Sequence, residues 1–87
     1  MKRKDGFIVR ELAGQNIVLA VGEASKIFRG MIKLNTTGLF IWERLANDVS
    51  EEQIVDALIE SYEVERERAS ADVRRFVSLL AEAGIIE

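Results

Sequence analysis

The hydrophobic periodicity of this sequence changes once, at Asn35, and divides the chain into two parts of different kind. Before Asn35, short runs rich in β-branched and aromatic residues alternate with glycine-containing turns, which is typical of strands. After it, apolar residues recur at spacings of three and four, which is typical of amphipathic helices. Neither a small sheet nor a set of such helices can bury its apolar face alone. The two parts must therefore pack on each other.

Three strands are predicted in the first part. Residues 7–12, 15–21 and 27–34 are rich in Val, Ile, Leu and Phe, which fit a pleated, half-buried surface. Ala13-Gly14 and residues 22–25 separate them and predict turns, because Gly tolerates positive φ. Strands joined by such short connections form an antiparallel meander with the third strand at an edge.

Three helices are predicted after Asn35, which is a typical N-cap for a first helix over residues 36–46. Ser50-Glu51-Glu52-Gln53 is a capping box for the second helix, with its glutamates as helix-start charges. The third helix is predicted from about residue 65 to 83, and Gly84 stands where a C-terminal cap belongs. The predicted fold class is α+β: a three-stranded antiparallel sheet followed by three helices, winged helix-turn-helix-like, in one domain over residues 1–87.

Four consecutive apolar residues, Leu39-Phe40-Ile41-Trp42, lie in the first helix. They sweep about 300° of its circumference, so packing on one side cannot bury them all. We expect this helix to be enclosed by the sheet and the other two helices, with Trp42 in the core. The alternative is that one of these side chains is offered to a partner.

Composition excludes most catalytic chemistry. The 87 residues include no Cys and no His, which removes thiolate nucleophiles, histidine acid–base relays, disulfides and ordinary zinc ligation. We therefore expect no catalytic residue, no metal and no cofactor. A net charge of −3 argues against nucleic acid as a partner. Since no apolar run approaches the ~18 residues of a membrane span and no signal peptide opens the chain, we expect no membrane partner and a cytoplasmic location.

The third strand is expected to carry a binding edge. An edge strand leaves a row of N–H and C=O groups unpaired, and these can template a strand from another chain. No Pro blocks the edge, and the predicted docking segment runs from Gly30 to Leu34. Ile32 and Leu34 share one face, whereas Met31 and Lys33 share the other, where ordinary edge protection is the alternative role.

A flank of the third helix offers side chains to the same ligand. Arg68, Asp72, Arg75 and Leu79 fall together beside the apolar stripe, because each helical residue turns about 100°. The arginines could hold a carboxylate in bidentate fashion, and Leu79 could contact an apolar group. The alternative is a solvated flank with an Arg68–Asp72 pair contributing a few tenths of a kcal/mol. Phe28 could belong to the core or to this groove.

An ordered set of segments resembles the PqqD-like family, the coenzyme PQQ synthesis protein D family, over nearly the whole chain. The segments are GFIVRELAG at 6–14, VGEA at 21–24, IKLNTTG at 32–38, IWE at 41–43, EQIVDAL at 52–58, YEV at 62–64, DVRRF at 72–76 and LAEAGII at 80–86. No single motif is decisive, but the order of the set is specific.

The resemblance implies a non-catalytic peptide chaperone, a recognition element for ribosomally made and post-translationally modified peptides. Such a protein binds the leader segment of a precursor peptide as a strand beside the third strand, against the third helix. It then presents the precursor to a modifying enzyme, often a radical S-adenosylmethionine enzyme. The expected peptide-binding residues are Phe28, Gly30, Met31, Ile32, Lys33, Leu34, Arg68, Asp72, Arg75 and Leu79.

Two other functions stay open from the residues alone. A winged-helix DNA-binding module would need a basic recognition helix, whereas Glu65-Arg66-Glu67-Arg68 alternates in sign. A structural or oligomerisation module is the second, because an exposed strand edge can also pair with its own copy to form a homodimer.

Overall fold

The computed structural model describes residues 1–87 and has the element order that the sequence predicts. Its main elements are β1 (Phe7–Leu12), β2 (Gln15–Ala20), β3 (Met31–Leu34), α1 (Thr36–Arg44), α2 (Glu51–Ser61) and α3 (Arg66–Glu82). The strands form one antiparallel sheet in the order β1-β2-β3. A three-stranded antiparallel sheet followed by three helices is therefore confirmed.

A two-residue turn joins β1 to β2 and sets the register of the sheet. Ala13 and Gly14 have φ angles of 52° and 78°, both left-handed as a type I′ turn requires. Leu12 pairs with Gln15 across the turn. Val18 then falls in the middle of the sheet on the face towards the helices, where none of its surface is accessible.

The third strand is shorter than predicted, since residues 27–30 lie outside it. Gly22–Lys26 forms a short 3₁₀ helix in place of the predicted turn. The backbone N–H groups of Ile27 and Phe28 both donate to the Ala24 carbonyl, at 3.1 and 2.9 Å. These local bonds continue the helical turn, so the β-forming residues there do not enter the sheet. The strand prediction for residues 27–30 was wrong.

The helix ends follow the capping signals of the sequence. Asn35 Oδ1 accepts a hydrogen bond from the Gly38 N–H at 2.7 Å and opens α1. The predicted capping box opens α2, where Ser50 Oγ accepts from the Gln53 N–H at 3.1 Å. Gly84, with φ of 75°, closes α3 in a Schellman motif. Only α1 ends earlier than expected, at Arg44, because the residues that follow bond three rather than four positions back.

One cluster of 13 buried residues joins the sheet to all three helices. Trp42 lies in it with 3% of its surface accessible, as predicted, and Ile41 is buried beside it. Leu39 and Phe40 keep part of their surface exposed, so the enclosure of α1 is incomplete. Phe40 packs its ring against Tyr62 of α2, with centroids 5.6 Å apart in an edge-to-face arrangement.

The basic N-terminal segment is docked rather than loose, which the sequence did not indicate. The terminal ammonium of Met1 donates to Asp48 Oδ1 at 2.7 Å. Arg3 donates from Nη1 to the Trp42 carbonyl at 2.7 Å, and its guanidinium carbon lies 4.9 Å from the centre of the Trp42 ring. Arg3 also forms a bridge with Ile86 near the other end of the chain. None of the helices combines the length and apolar character that a bilayer crossing needs.

Candidate functional site

β3 lies at an edge of the sheet and pairs only with β2. No hydrogen bond from a turn, loop or cap involves the backbone of Met31–Leu34. The two chain termini pair with each other instead, through the bridge between Arg3 and Ile86. The outer edge of β3 is therefore not covered by the chain's own backbone.

The hairpin register identifies the backbone groups that β3 directs outwards. The residues that flank a two-residue turn form a hydrogen-bonded pair, and such pairs alternate along antiparallel strands. The odd-numbered residues of β2 therefore bond to β1, and its even-numbered residues bond to β3. Val18 is even-numbered and pairs with Ile32. Its neighbours Met31 and Lys33 are consequently the residues whose N–H and C=O groups point to the free edge.

The side chains of β3 alternate between two faces, as predicted. Leu34 is buried in the core cluster, and Ile32 packs against that cluster. Met31 and Lys33 are exposed on the opposite face, Met31 with 63% of its surface accessible. The β3 edge thus has one apolar face that is packed on the core and one face that is exposed to solvent.

A depression of about 340 Å³ separates the start of α1 from one flank of α3. All four predicted side chains of α3 line it together: Arg68, Asp72, Arg75 and Leu79. Their shared flank was inferred from helical periodicity, and the structure adds the opposite wall, formed by residues at the N-terminus of α1.

A second depression, of about 580 Å³, follows the end of β3 and the β1–β2 turn. Lys33 and Leu34 line it, so it borders the strand edge. Asn35, Gly38 and Phe76 belong to both depressions. The two depressions therefore adjoin between the end of β3 and α3, and we call them together the α1–α3 groove.

Gly38 and Phe76 form the centre of the α1–α3 groove and were not among the predicted site residues. A Cβ atom on Gly38 would lie 3.2 Å from Asn35 Oδ1 and 3.5 Å from the Phe76 ring, so the absence of a side chain keeps the groove open. Helical periodicity predicts Phe76 on the apolar stripe of α3, beside the predicted flank. Its position four residues after Asp72 and three before Leu79 was the available signal, because these spacings share a face.

The charges of the groove do not form the Arg68–Asp72 pair that was the alternative to a binding role. Asp72 bonds to Arg75, with Nη2 and Oδ1 2.6 Å apart, and not to Arg68. Arg68 has no hydrogen-bonding or ion-pair partner in the chain. Because the Arg75 charge is shared with a carboxylate and the Arg68 charge is not, Arg68 is the cation available to an anionic ligand.

Two predicted residues lie away from the groove. Phe28 packs edge-to-face on Phe7, with ring centroids 5.8 Å apart, and contributes to the core from the segment before β3. Gly30 is next to the Phe28 ring and immediately precedes β3. Both border a separate depression at the other end of the strand. The structure brings the remaining predicted residues to the β3 edge or to the α3 flank.

The fold and the site together define a small α+β domain with a free strand edge and an adjoining groove, an arrangement suited to an extended ligand. The chain belongs to the coenzyme PQQ synthesis protein D (PqqD) family, because the family model matches residues 15–86. The resemblance drawn from the sequence is thereby confirmed.

Two solved structures share this fold over nearly their whole length. TbiB1 in complex with the TbiA(beta) leader peptide is 26% identical over 100% of this chain and 95% of that chain, with a TM-score of 0.76. Lasso peptide synthetase B1 complexed with the leader peptide is 26% identical over 97% of this chain and 93% of that chain, with a TM-score of 0.72. No curated protein matches the sequence.

Proposed function

We propose that this protein binds the leader segment of a ribosomally made precursor peptide and presents the precursor to a modifying enzyme. The leader adds to the sheet as a fourth strand beside β3 and places side chains in the α1–α3 groove. The observation that carries the proposal is the unpaired β3 edge next to that groove. The similarity to two proteins whose structures contain leader peptides supports it.

Main-chain pairing alone is too weak for this function. Each added hydrogen bond contributes about 0.5–1.5 kcal/mol net, and β3 has only four residues. Micromolar binding corresponds to about −8 kcal/mol. Side chains of the leader must therefore supply much of the affinity, and the groove is where they do so.

The lining of the groove defines which leader side chains fit. Phe76 is half-buried and Leu79 has 44% of its surface exposed, so both offer apolar surface to an aliphatic or aromatic group. Arg68 lacks a partner and favours a leader carboxylate close by. We expect a leader that combines a carboxylate with an apolar residue in the stretch beyond its strand-forming part.

The protein's own role is non-catalytic in this proposal. It raises the effective concentration of the attached core peptide at the enzyme. The enzyme itself supplies the chemistry, and a radical S-adenosylmethionine enzyme is the partner that the family resemblance favours. No group of three or more acidic side chains in the chain could hold a metal ion.

An NMR titration with the leader peptide encoded beside this gene tests the proposal. We expect amide shifts concentrated in β3 and α3, and a loss of affinity of about tenfold for Arg68→Glu, the size expected for reversing a contacting charge. Arg74→Glu, which makes the same charge change on the neighbouring side of α3, should bind normally. Shifts confined to other elements, or equal effects of the two substitutions, would contradict the proposed site.

A further inference from the structure

The face of the sheet that points away from the helices carries an apolar surface. Strand alternation and register assign to it every second residue of the three strands. These residues are Ile8, Arg10, Leu12, Gln15, Ile17, Leu19, Met31 and Lys33. We call this set the outer sheet face.

The apolar side chains of the outer sheet face are separate from the core. None of them belongs to the buried core cluster or packs against it. Leu12 and Met31 keep 47% and 63% of their surface exposed, whereas Ile17 keeps only 6%. Ile17 lies between Arg10 and Lys33 in the register, whose long aliphatic stems can cover it. On one side of these two cations the register aligns Ile8, Leu19 and Met31 in an apolar row, and on the other side it places Leu12.

The charge of this face is opposite to that of the whole chain. Arg10 and Lys33 are its only charged residues, and neither has an ion-pair partner. The chain as a whole carries a net charge of −3. A complementary surface would therefore carry apolar side chains with carboxylates among them.

A second copy of this chain is a poor occupant of the face. Two copies meeting face to face about a two-fold axis would bring four cationic heads together, because such an interface uses the same patch on both subunits. Like charges held together in an interface oppose association. A different protein with an acidic surface avoids this repulsion.

We propose that the outer sheet face docks the enzyme that modifies the precursor peptide, through an apolar surface of that enzyme that also carries carboxylates. The inference rests on the proposed function for the identity of this partner. A leader strand added beside β3 would lie in the plane of the sheet and leave the outer face free. Every second leader side chain would also extend that face, so the enzyme should bind the leader-loaded protein more tightly than the protein alone.

The test measures two affinities for each variant. Biolayer interferometry with the purified modifying enzyme encoded beside the precursor gene, with and without synthetic leader, reports docking. Fluorescence anisotropy with labelled leader reports peptide binding. We expect Arg10→Glu and Leu12→Ser each to lower the affinity for the enzyme by about tenfold or more. Their affinity for the leader should stay unchanged. Arg74→Glu is the matched control, since it changes the charge equally on α3.

Other results would contradict either the docking surface or the proposed function. Unchanged enzyme affinity in both outer-face variants, or an equal loss in Arg74→Glu, would overturn the docking surface. Sedimentation velocity is run on the same variants: a wild-type dimer that Leu12→Ser converts to a monomer would overturn the docking surface too, because a second copy would then occupy the outer sheet face. Should the wild-type protein bind the enzyme through Arg10 but fail to bind leader, the docking surface stands and the proposed function is what fails.

Discussion

Gly38 shows how one residue serves both the fold and the groove. It is the third residue of α1, and its N–H completes the Asn35 cap. A residue with a side chain would serve the cap equally well, since the bond uses only the backbone. The lack of a Cβ matters instead because Asn35 Oδ1 and the Phe76 ring converge on this position. Gly38 therefore keeps the centre of the groove open at the cost of helix propensity.

Substituting Gly38 should separate stability from binding. Gly38→Ala gains up to about 1 kcal/mol of helix propensity but crowds Asn35 Oδ1, so we expect unfolding free energy to change by less than about 1 kcal/mol. Gly38→Leu should fill the groove and weaken leader binding by about tenfold or more. Urea unfolding followed by the fluorescence of Trp42, the chain's one tryptophan, measures stability. Anisotropy with labelled leader measures affinity, and unimpaired binding by Gly38→Leu would place the peptide elsewhere.

At the scale of elements, β3 is a short strand with two different edges. Its even-numbered residues hold it to β2, and its odd-numbered residues direct their backbone groups outwards. Sequence alternation assigns the side chains of β3 to faces, but not the N–H groups to edges. That second assignment came from the position of the two-residue turn, twenty residues earlier in the chain.

Proline substitutions should distinguish the two edges of β3. Lys33→Pro removes an outward N–H and leaves the bonds to β2 in place, so we expect a folded protein that has lost leader binding. Ile32→Pro removes an N–H that bonds to β2, and we expect it to destabilise the domain by about 1–3 kcal/mol, because the carbonyl partner on β2 is left unsatisfied. Circular dichroism and leader anisotropy on both variants give the comparison. Full leader binding by a folded Lys33→Pro protein would rule out strand addition at this edge.

At the scale of the whole molecule, the two ends of the chain are tied to the same region. The N-terminal ammonium lies against Asp48 in the loop between α1 and α2, and the Val49 N–H donates to the Met1 carbonyl at 2.9 Å. The Glu87 N–H donates to the Lys2 carbonyl at 2.8 Å. This arrangement keeps both termini away from β3 and so preserves its free edge.

The link between Met1 and Asp48 should make stability depend on pH in a defined direction. The hydrogen bond and charge of the terminal ammonium lower the pKa of Asp48 below its ordinary value of 3.8. A depressed folded pKa contributes stability above the unfolded pKa, and this contribution is lost as pH falls through the folded value. Asp48→Asn should therefore be less stable than the wild type near neutral pH, by a small amount because the carboxylate is exposed. The difference should disappear below the folded pKa.

Urea unfolding of both proteins over a pH series, from neutral pH to well below the ordinary value of 3.8, measures that difference. N-terminal acetylation of the wild type is the matched control, because it removes the ammonium charge and keeps Asp48. A difference that is constant with pH, or one that acetylation leaves unchanged, would show that Asp48 acts through something other than this ion pair.

Local signals in the sequence determined most of the secondary structure. The Asn35 cap, the Ser50 capping box, the Ala13-Gly14 turn and the Gly84 cap all act over six residues or fewer, so the chain adjacent to each is sufficient to form it. Residues 27–30 are the exception. The β-forming side chains of Ile27 and Phe28 were outweighed by backbone hydrogen bonds to Ala24, a competition that propensity alone does not resolve.

The sequence alone determined the fold class, the faces of β3 and the shared flank of Arg68, Asp72, Arg75 and Leu79, because each follows from a period of the backbone. Helical spacing lets Asp72 pair with either Arg68 or Arg75, and the structure shows the pair with Arg75. Only the tertiary structure decided that α1 forms the second wall of the groove and that Phe76 lies at its centre. Distances between elements cause these features, and no local period encodes such distances. The free edge of β3 likewise depends on where the termini pack, which is a property of the folded chain as a whole.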